Sequence, residues 1–205
     1  MKSVEKANLA TLKDISAQSK INPEKIAEYV DLTEPMQVSK GTDRLTILQG
    51  VNVVKVPIPI SADLANDSIY EKQKNEILQI IREIAKKGNV QLPSLENIYL
   101  VRGVIANLIE FIASQSQQYK NIQKIIVPTD FIDENGITTQ KQVRQIVIKS
   151  EEKEKIEMAC DSNKLLGTPL HGKWHTLTPS LDEKDNALFN FGFDEKGQVV
   201  IFDYG

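Results

Sequence analysis

The sequence predicts an α+β fold built on an antiparallel sheet, and three observations point there. Strand-like segments come in neighbouring groups joined by turn residues, between 37 and 60, between 122 and 148, and between 188 and 203. Helical segments are clustered and do not alternate one for one with strands. No internal repeat and no low-complexity tract interrupts the chain. With 205 residues, 40% hydrophobic and 26% charged, the chain is long enough to bury a sizeable core. Its texture divides it into a helical appendage at 1–36 and a main domain at 37–205.

Residues 3–19 have weak helical spacing through Val4, Leu9, Leu12 and Ile15. Asn22-Pro23-Glu24 opens a second helix running to about Val30, with asparagine as cap, proline at the first helical position and an acid in the first turn. This stretch reads as a unit packing on the main domain, with a partner-binding or delivery role as the alternative. From Gln37 to Ile60, the residues Val38, Leu45, Ile47 and the run Val51 to Val56 give two or three antiparallel strands. Lys40-Gly41-Thr42-Asp43 and Gln49-Gly50 turn them, and Pro57 and Pro59 end the last. Lys55 falls on the same side of its strand as Val51 and Val53. Its head then either lies among apolar neighbours or, on an edge strand, reaches water along the stem.

Asn66-Asp67-Ser68 caps a helix through Lys87, with Ile69, Ile77, Ile80, Ile81 and Ile84 as its stripe and Gly88 as its stop. Pro93-Ser94 opens another from Leu95 to about Gln115, with Leu100, Val104, Leu108, Ile109 and Ile112 as its core set. Glu76 lies in the first of these helices and Glu110 in the second. Glu110 sits inside Leu108-Ile109-Glu110-Phe111-Ile112, a setting that buries an acid against a cation. Ile122 to Phe131 and Gln142 to Ile148 read as strands about an Asn-Gly turn at 133–136. Residues 150–166 are weakly helical, 167–181 are loop, and 183–205 are a closing hairpin turned at Asp194-Glu195-Lys196-Gly197.

A net charge of −3 with pI near 5.5 leaves no basic footprint for nucleic acid or an anionic membrane. No apolar run approaches membrane-spanning length, so membrane insertion is not expected, and Met1 to Asp14 is too polar for a secretory signal. One cysteine, Cys160, excludes an intramolecular disulfide and suits a reducing compartment. The expected location is the cytoplasm, or a host cell reached by a signal-peptide-independent route.

Three polar residues punctuate the closing hairpin: Asp185, Asn190 and Asp203. Asp203 follows the apolar run Val199-Val200-Ile201-Phe202, where an acid is costly unless something pairs with it. Asp185-Asn186-Ala187-Leu188-Phe189-Asn190 matches the spacing D-x-x-x-x-N, Asp203-Tyr204-Gly205 matches D-F-G, and Val53-Val54-Lys55-Val56 resembles a V-A-I-K strand followed by helix and two further strands. In this order and spacing the chain resembles the protein kinase-like superfamily, in outline over residues 38 to 205.

The resemblance implies ATP and Mg2+ as cofactors and a protein as substrate or partner. Phosphoryl transfer asks a protein mainly to position groups and neutralise charge. By resemblance, Lys55 grips the α/β-phosphates, Asn190 and Asp203 hold metal through hard oxygen ligands, and Asp185 is the catalytic base. Glu110 or Glu76 is the helix carboxylate that holds Lys55 upright. Glu110 fits a helix directly before the next strand, and Glu76 fits if the second helix is an insertion. Gly41 is the one glycine placed where a phosphate-covering loop would lie, since no G-x-G-x-x-G is present. Glu183 stands two residues before Asp185 where a histidine is usual, and no activation segment follows Gly205 in this sequence. The implied architecture is a minimal kinase-like domain with a much reduced C-lobe, similar to small bacterial effector kinases.

A rival lies at His171-Gly172-Lys173-Trp174-His175, but Lys173 stands where the small-molecule kinases' H-G-D needs an acid, and Thr178 where they need asparagine. The two histidines would face one side only on a helix, and Gly172 with nearby prolines predicts loop, so zinc is disfavoured. Trp174 is a lid over the core or a contact for adenine. Three readings remain open at this level: a phosphotransferase, a pseudokinase that works by contact, and an α+β interaction module whose motif matches are accidental.

Overall fold

The computed structural model describes residues 3–59, 72–117, 120, 123, 126–145, 190–193, 196 and 199–203, with backbone alone at 144–145, 190–193, 199 and 201–203. Its centre is a meander of β1 (Gln37–Lys40), β2 (Arg44–Gln49) and β3 (Asn52–Pro57). Gly50, at φ 58°, and Val51 close the β2–β3 hairpin. A glycine at the first central position of a two-residue loop is the type II′ arrangement, whose twist suits the flanking strands. Val51 therefore lies in the turn, 64% exposed, and not in the strand beside Val53.

The sheet continues through β4 (Thr129–Ile132) and β5 (Thr138–Lys141), in the order β1-β2-β3-β5-β4 with every pairing antiparallel. The β4–β5 turn is built by Asp133, whose Oδ1 accepts the N–H groups of Asn135 at 2.9 Å and Ile137 at 2.7 Å, while Gly136 takes φ 77°. The strand that follows this turn thus begins at Thr138 and not at Gln142, because the turn residues end at Ile137. Past Lys141 the chain enters a second antiparallel sheet, β6 (Arg144–Gln145), β7 (Asn190–Phe193) and β8 (Val199–Asp203), in that order.

Strand alternation sends two sets of side chains from the five-stranded sheet to opposite layers. On one side Leu45, Ile47, Val54, Val56, Ile58 and Ile137 share a cluster with Leu12 and Ile15 of α1 (Ser3–Ser19) and Ile26 of α2 (Pro23–Ala27). Asn8 secures α1 by donating to the carbonyls of Leu32 at 2.9 Å and Glu34 at 2.7 Å. The expected cap is present, with Asn22 Oδ1 accepting from the Glu24 N–H at 3.0 Å. The helix is shorter than its sequence suggests, since beyond Ala27 the chain tightens into turns with Tyr29 and Val30 bonding three residues back.

On the other side lie α3 (Lys74–Lys87) and α4 (Arg102–Gln115), whose apolar faces form the second cluster, from Ile77 and Ile81 to Leu108 and Ile112. The stop after α3 is a Schellman motif: Val90 N–H bonds the Ala85 carbonyl, Asn89 N–H bonds that of Lys86, and Asn89 adopts φ 56°. Asn89, and not Gly88, is the left-handed residue. Gly88 is needed for room, because a Cβ there would overlap the Ser116 side chain at the end of α4.

The helix expected from Leu95 begins at Arg102 instead. Leu95, Ile98, Leu100 and Val101 are all buried, but in non-helical chain that lines the α3–α4 core. Their spacing resembles a helical stripe while serving an irregular segment that turns at Glu96-Asn97. Residues 60–71 and 146–189, including the expected cap at Asn66-Asp67-Ser68, the helix at 150–166 and the loop at 167–181, lie outside the described residues. Among the described residues no helix is long and apolar enough to cross a membrane.

Candidate functional site

Lys55 is an interior-strand residue, flanked by Thr46 of β2 and Thr138 of β5. An edge-strand lysine reaching water is therefore excluded, and Lys55 is 4% exposed. With Val54 and Val56 committed to the α1 layer, period two turns Lys55 toward α4. Between Gly103 and Ala113 helix α4 is apolar except at Asn107 and Glu110, which are one turn apart and so share a face. Lys55 Nζ donates to Glu110 Oε2 at 2.7 Å, and Glu110 is fully buried.

Glu110 has a second cation. Arg44, the first residue of β2 and itself buried, donates from Nη1 to Glu110 Oε1 at 2.6 Å. The same Nη1 reaches Asn107 Oδ1 at 3.2 Å, and Asn107 Nδ2 donates to the Gly136 carbonyl at 2.8 Å and that of Lys55 at 3.4 Å. Gln140 Nε2 spans Thr129 Oγ1 at 2.9 Å and Glu110 Oε2 at 3.3 Å. Arg44 Nε lies 3.4 Å from Asp43 Oδ1, whose other oxygen lies 3.2 Å from Arg102 Nε at the start of α4. A chain of alternating charge thus runs Arg102, Asp43, Arg44, Glu110, Lys55 across the inner face of the sheet.

Burial makes this arrangement strongly conditional. Ions removed from water are costly unless charge and hydrogen bonds are both answered. Each Glu110 oxygen accepts from a cation, and Gln140 adds a third donor. Helix α4 is also brought close to the sheet, since a Cβ on Gly103 would overlap the Asp43 carbonyl oxygen. What results is a lysine whose ammonium is fixed in position by a carboxylate that is itself fixed.

Of the two glutamates considered, Glu110 is the partner of Lys55. Glu76 stands exposed in the first turn of α3 and makes no ion pair among the described residues. Gly41 lies exposed in the β1–β2 turn, where its N–H donates to the Arg44 carbonyl at 2.9 Å. Asn190 and Asp203 face each other as backbone partners across β7 and β8, beside a register shift at Asn190/Phe191. Asp185, Cys160, His171, Trp174 and His175 lie outside the described residues. Among the described residues no group of three or more His, Cys, Asp or Glu side chains converges as a metal site.

Arg44, Asn107 and Gln140 were not legible as members of the site. Asn107 carried a signal, being a second polar residue one turn before Glu110 in the otherwise apolar stretch Gly103 to Ala113. Comparison with protein-family models, with curated proteins and with solved structures finds no match to this chain.

Proposed function

We propose that this chain is an ATP- and Mg2+-dependent phosphotransferase with a minimal kinase-like fold, acting on a protein substrate. The observation that carries the reading is the buried Lys55–Glu110 ion pair. It joins the third strand of an antiparallel five-stranded sheet to the helix preceding the fourth strand, as the strand lysine and helix glutamate of protein kinases are joined. In this role Lys55 grips the α/β-phosphates while Glu110 keeps its ammonium from swinging away. Asn190 and Asp203, backbone partners across β7 and β8, would supply the hard oxygen donors that Mg2+ prefers. The metal would neutralise charge on the phosphate oxygens. Asp185 takes the proton of the attacking hydroxyl.

One observation favours a second reading, a kinase-like or unrelated α+β module that works by contact without catalysis. The β1–β2 turn is only three residues long, 41–43, and the Gly41 N–H is already engaged with Arg44. Such a turn has few amides to offer a phosphate.

Thermal unfolding with nucleotide separates the readings. A ligand of the folded state raises its melting temperature by mass action, so millimolar Mg-ATP is expected to shift wild type, and Asp203→Ala to abolish the shift. Absence of any shift refutes nucleotide binding. Transfer of labelled phosphate from ATP, to the protein itself or to a cell lysate, is expected with wild type and lost in Asp185→Ala. Binding with no transfer selects the contact module.

A further inference from the structure

A groove of about 300 Å³ opens between α2, the Pro93-Ser94 segment and the β4–β5 turn, and the Lys55 site makes no use of it. Its floor is aromatic. Phe131 is 46% exposed, large for a strand phenylalanine, and its ring centroid lies 5.9 Å from that of Tyr29 at a 37° tilt. Its rim is acidic. Glu28, Asp133 and Glu134 line it, and its one cation, Lys25, is engaged by Glu28 at 3.2 Å. Three acids against one base leave the lining two negative charges in excess.

The carboxylates act on a common space. Burial pushes the Tyr29 hydroxyl well above the ordinary tyrosine range, and Asp133, Glu28 and Glu134 all push it further. Glu28 raises the Lys25 ammonium, with smaller contributions from Asp133 and Glu134. Asp133 is held by the Asn135 and Ile137 amides, so the acid placed to meet an incoming charge is Glu134, which is exposed and makes no ion pair among the described residues.

We propose that this groove docks an arginine-bearing segment of a partner protein, with the guanidinium against Phe131 and Tyr29 and its N–H groups on Glu134. Charge complementarity selects a cation over an acidic peptide or a nucleic acid. The aromatic pair selects guanidinium over ammonium, because a planar, weakly hydrated cation can stack on a ring while still donating to a carboxylate at its edge. The volume is at the lower bound of small-molecule sites and suits one or two side chains of a longer segment. The proposal is independent of any phosphotransferase activity.

The test is a titration of the full ¹⁵N-labelled chain with acetyl-Gly-Arg-Gly-Arg-Gly-amide, beside the same peptide with glutamate for arginine. Saturable shifts are expected at 25–29, 94 and 131–135, fading as salt screens the exposed rim. Glu134→Lys is expected to weaken binding by about tenfold or more, since it sets like charges together, and Phe131→Ala to remove it. Glu134→Lys, at an exposed side chain, is expected to keep the wild-type melting temperature, and Phe131→Ala, which loses its packing on Tyr29, is titrated well below its own measured melting temperature. Absent shifts, shifts centred elsewhere, an equal response to the acidic peptide, or unchanged affinity in both variants would overturn the proposal.

Discussion

Replacing Glu110 with glutamine is the sharpest perturbation of the buried network. The substitution keeps volume and one oxygen but removes the charge that Lys55 and Arg44 share at 2.7 and 2.6 Å. The glutamate side chain has no exposure, and those of lysine and arginine have 5% and 8%, so water cannot replace the lost carboxylate without opening the α4–sheet interface. Removing one member of a buried ion pair costs about 3–5 kcal/mol. For a chain of this size each kcal/mol moves the melting temperature by about 2–4 °C, so the expected fall is about 6–20 °C. Urea unfolding of Glu110→Gln beside Glu76→Gln is the assay. The exposed Glu76 variant is expected to stay within about 0.5 kcal/mol of wild type. A companion triple variant, Arg44→Met with Lys55→Met and Glu110→Leu, is expected to recover most of the loss, because apolar replacement of a whole buried network is often neutral or stabilising. Equal midpoints for Glu110→Gln and Glu76→Gln would refute the burial argument, and a triple variant no better than Glu110→Gln would refute the charge argument.

Three further outcomes follow from local geometry. Gly103→Ala is expected to destabilise by about 1–3 kcal/mol through overpacking against the Asp43 carbonyl, partly offset by at most about 1 kcal/mol of helix propensity. Urea midpoints check this, and a stabilised variant would mean that α4 and the β1–β2 turn are not in close approach. Asp133→Ala is expected to cost about 1–3 kcal/mol by stranding the Asn135 and Ile137 amides, with Asp133→Asn milder because one oxygen remains. The Tyr29 hydroxyl has its folded pKa raised above the ordinary 10.0, chiefly by burial and then by Asp133. Its contribution is therefore complete below pH 10, and stability declines above it as the unfolded chain loses that proton first. Tyr29→Phe is expected to flatten the alkaline limb in unfolding measured between pH 9 and 12, and an unchanged limb would remove the Tyr29 assignment.

The parts legible in the sequence were those that short-range chemistry determines. Gly50 and Gly136 take positive φ, and these glycines placed two hairpins. Asn22-Pro23-Glu24 placed the start of α2, and Glu110 among aliphatic neighbours announced a buried acid in need of a cation. The start of α4 was not legible, because Leu95, Ile98 and Val101 have helical spacing while serving as the apolar side of an irregular, turn-containing segment. Period and core burial give the same letters there. Arg44 was hidden for a different reason. A charged residue just after a turn ordinarily meets water, and only the register Arg44↔Pro57, with Leu45↔Val56 turned to the opposite layer, directs it beneath α4.

That register also explains why one carboxylate ends up between two cations. Residues of β2 and β3 that point toward α4 are two apart along each strand, so Arg44 and Lys55 are the charged members of one face. Asn107 and Glu110, one turn apart, are the polar members of the facing helix. Four residues thus meet between the sheet and α4, between two apolar clusters that would exist without them. Stability alone does not ask for such an arrangement, since aliphatic residues would fill the space at no greater cost. The proposed phosphate contact, which needs a fixed ammonium at the centre of β3, would ask for it. The triple variant therefore carries a second consequence: if it folds as well as wild type, a Mg-ATP shift present in wild type is expected to be lost in it, and persistence of that shift would place the nucleotide away from Lys55.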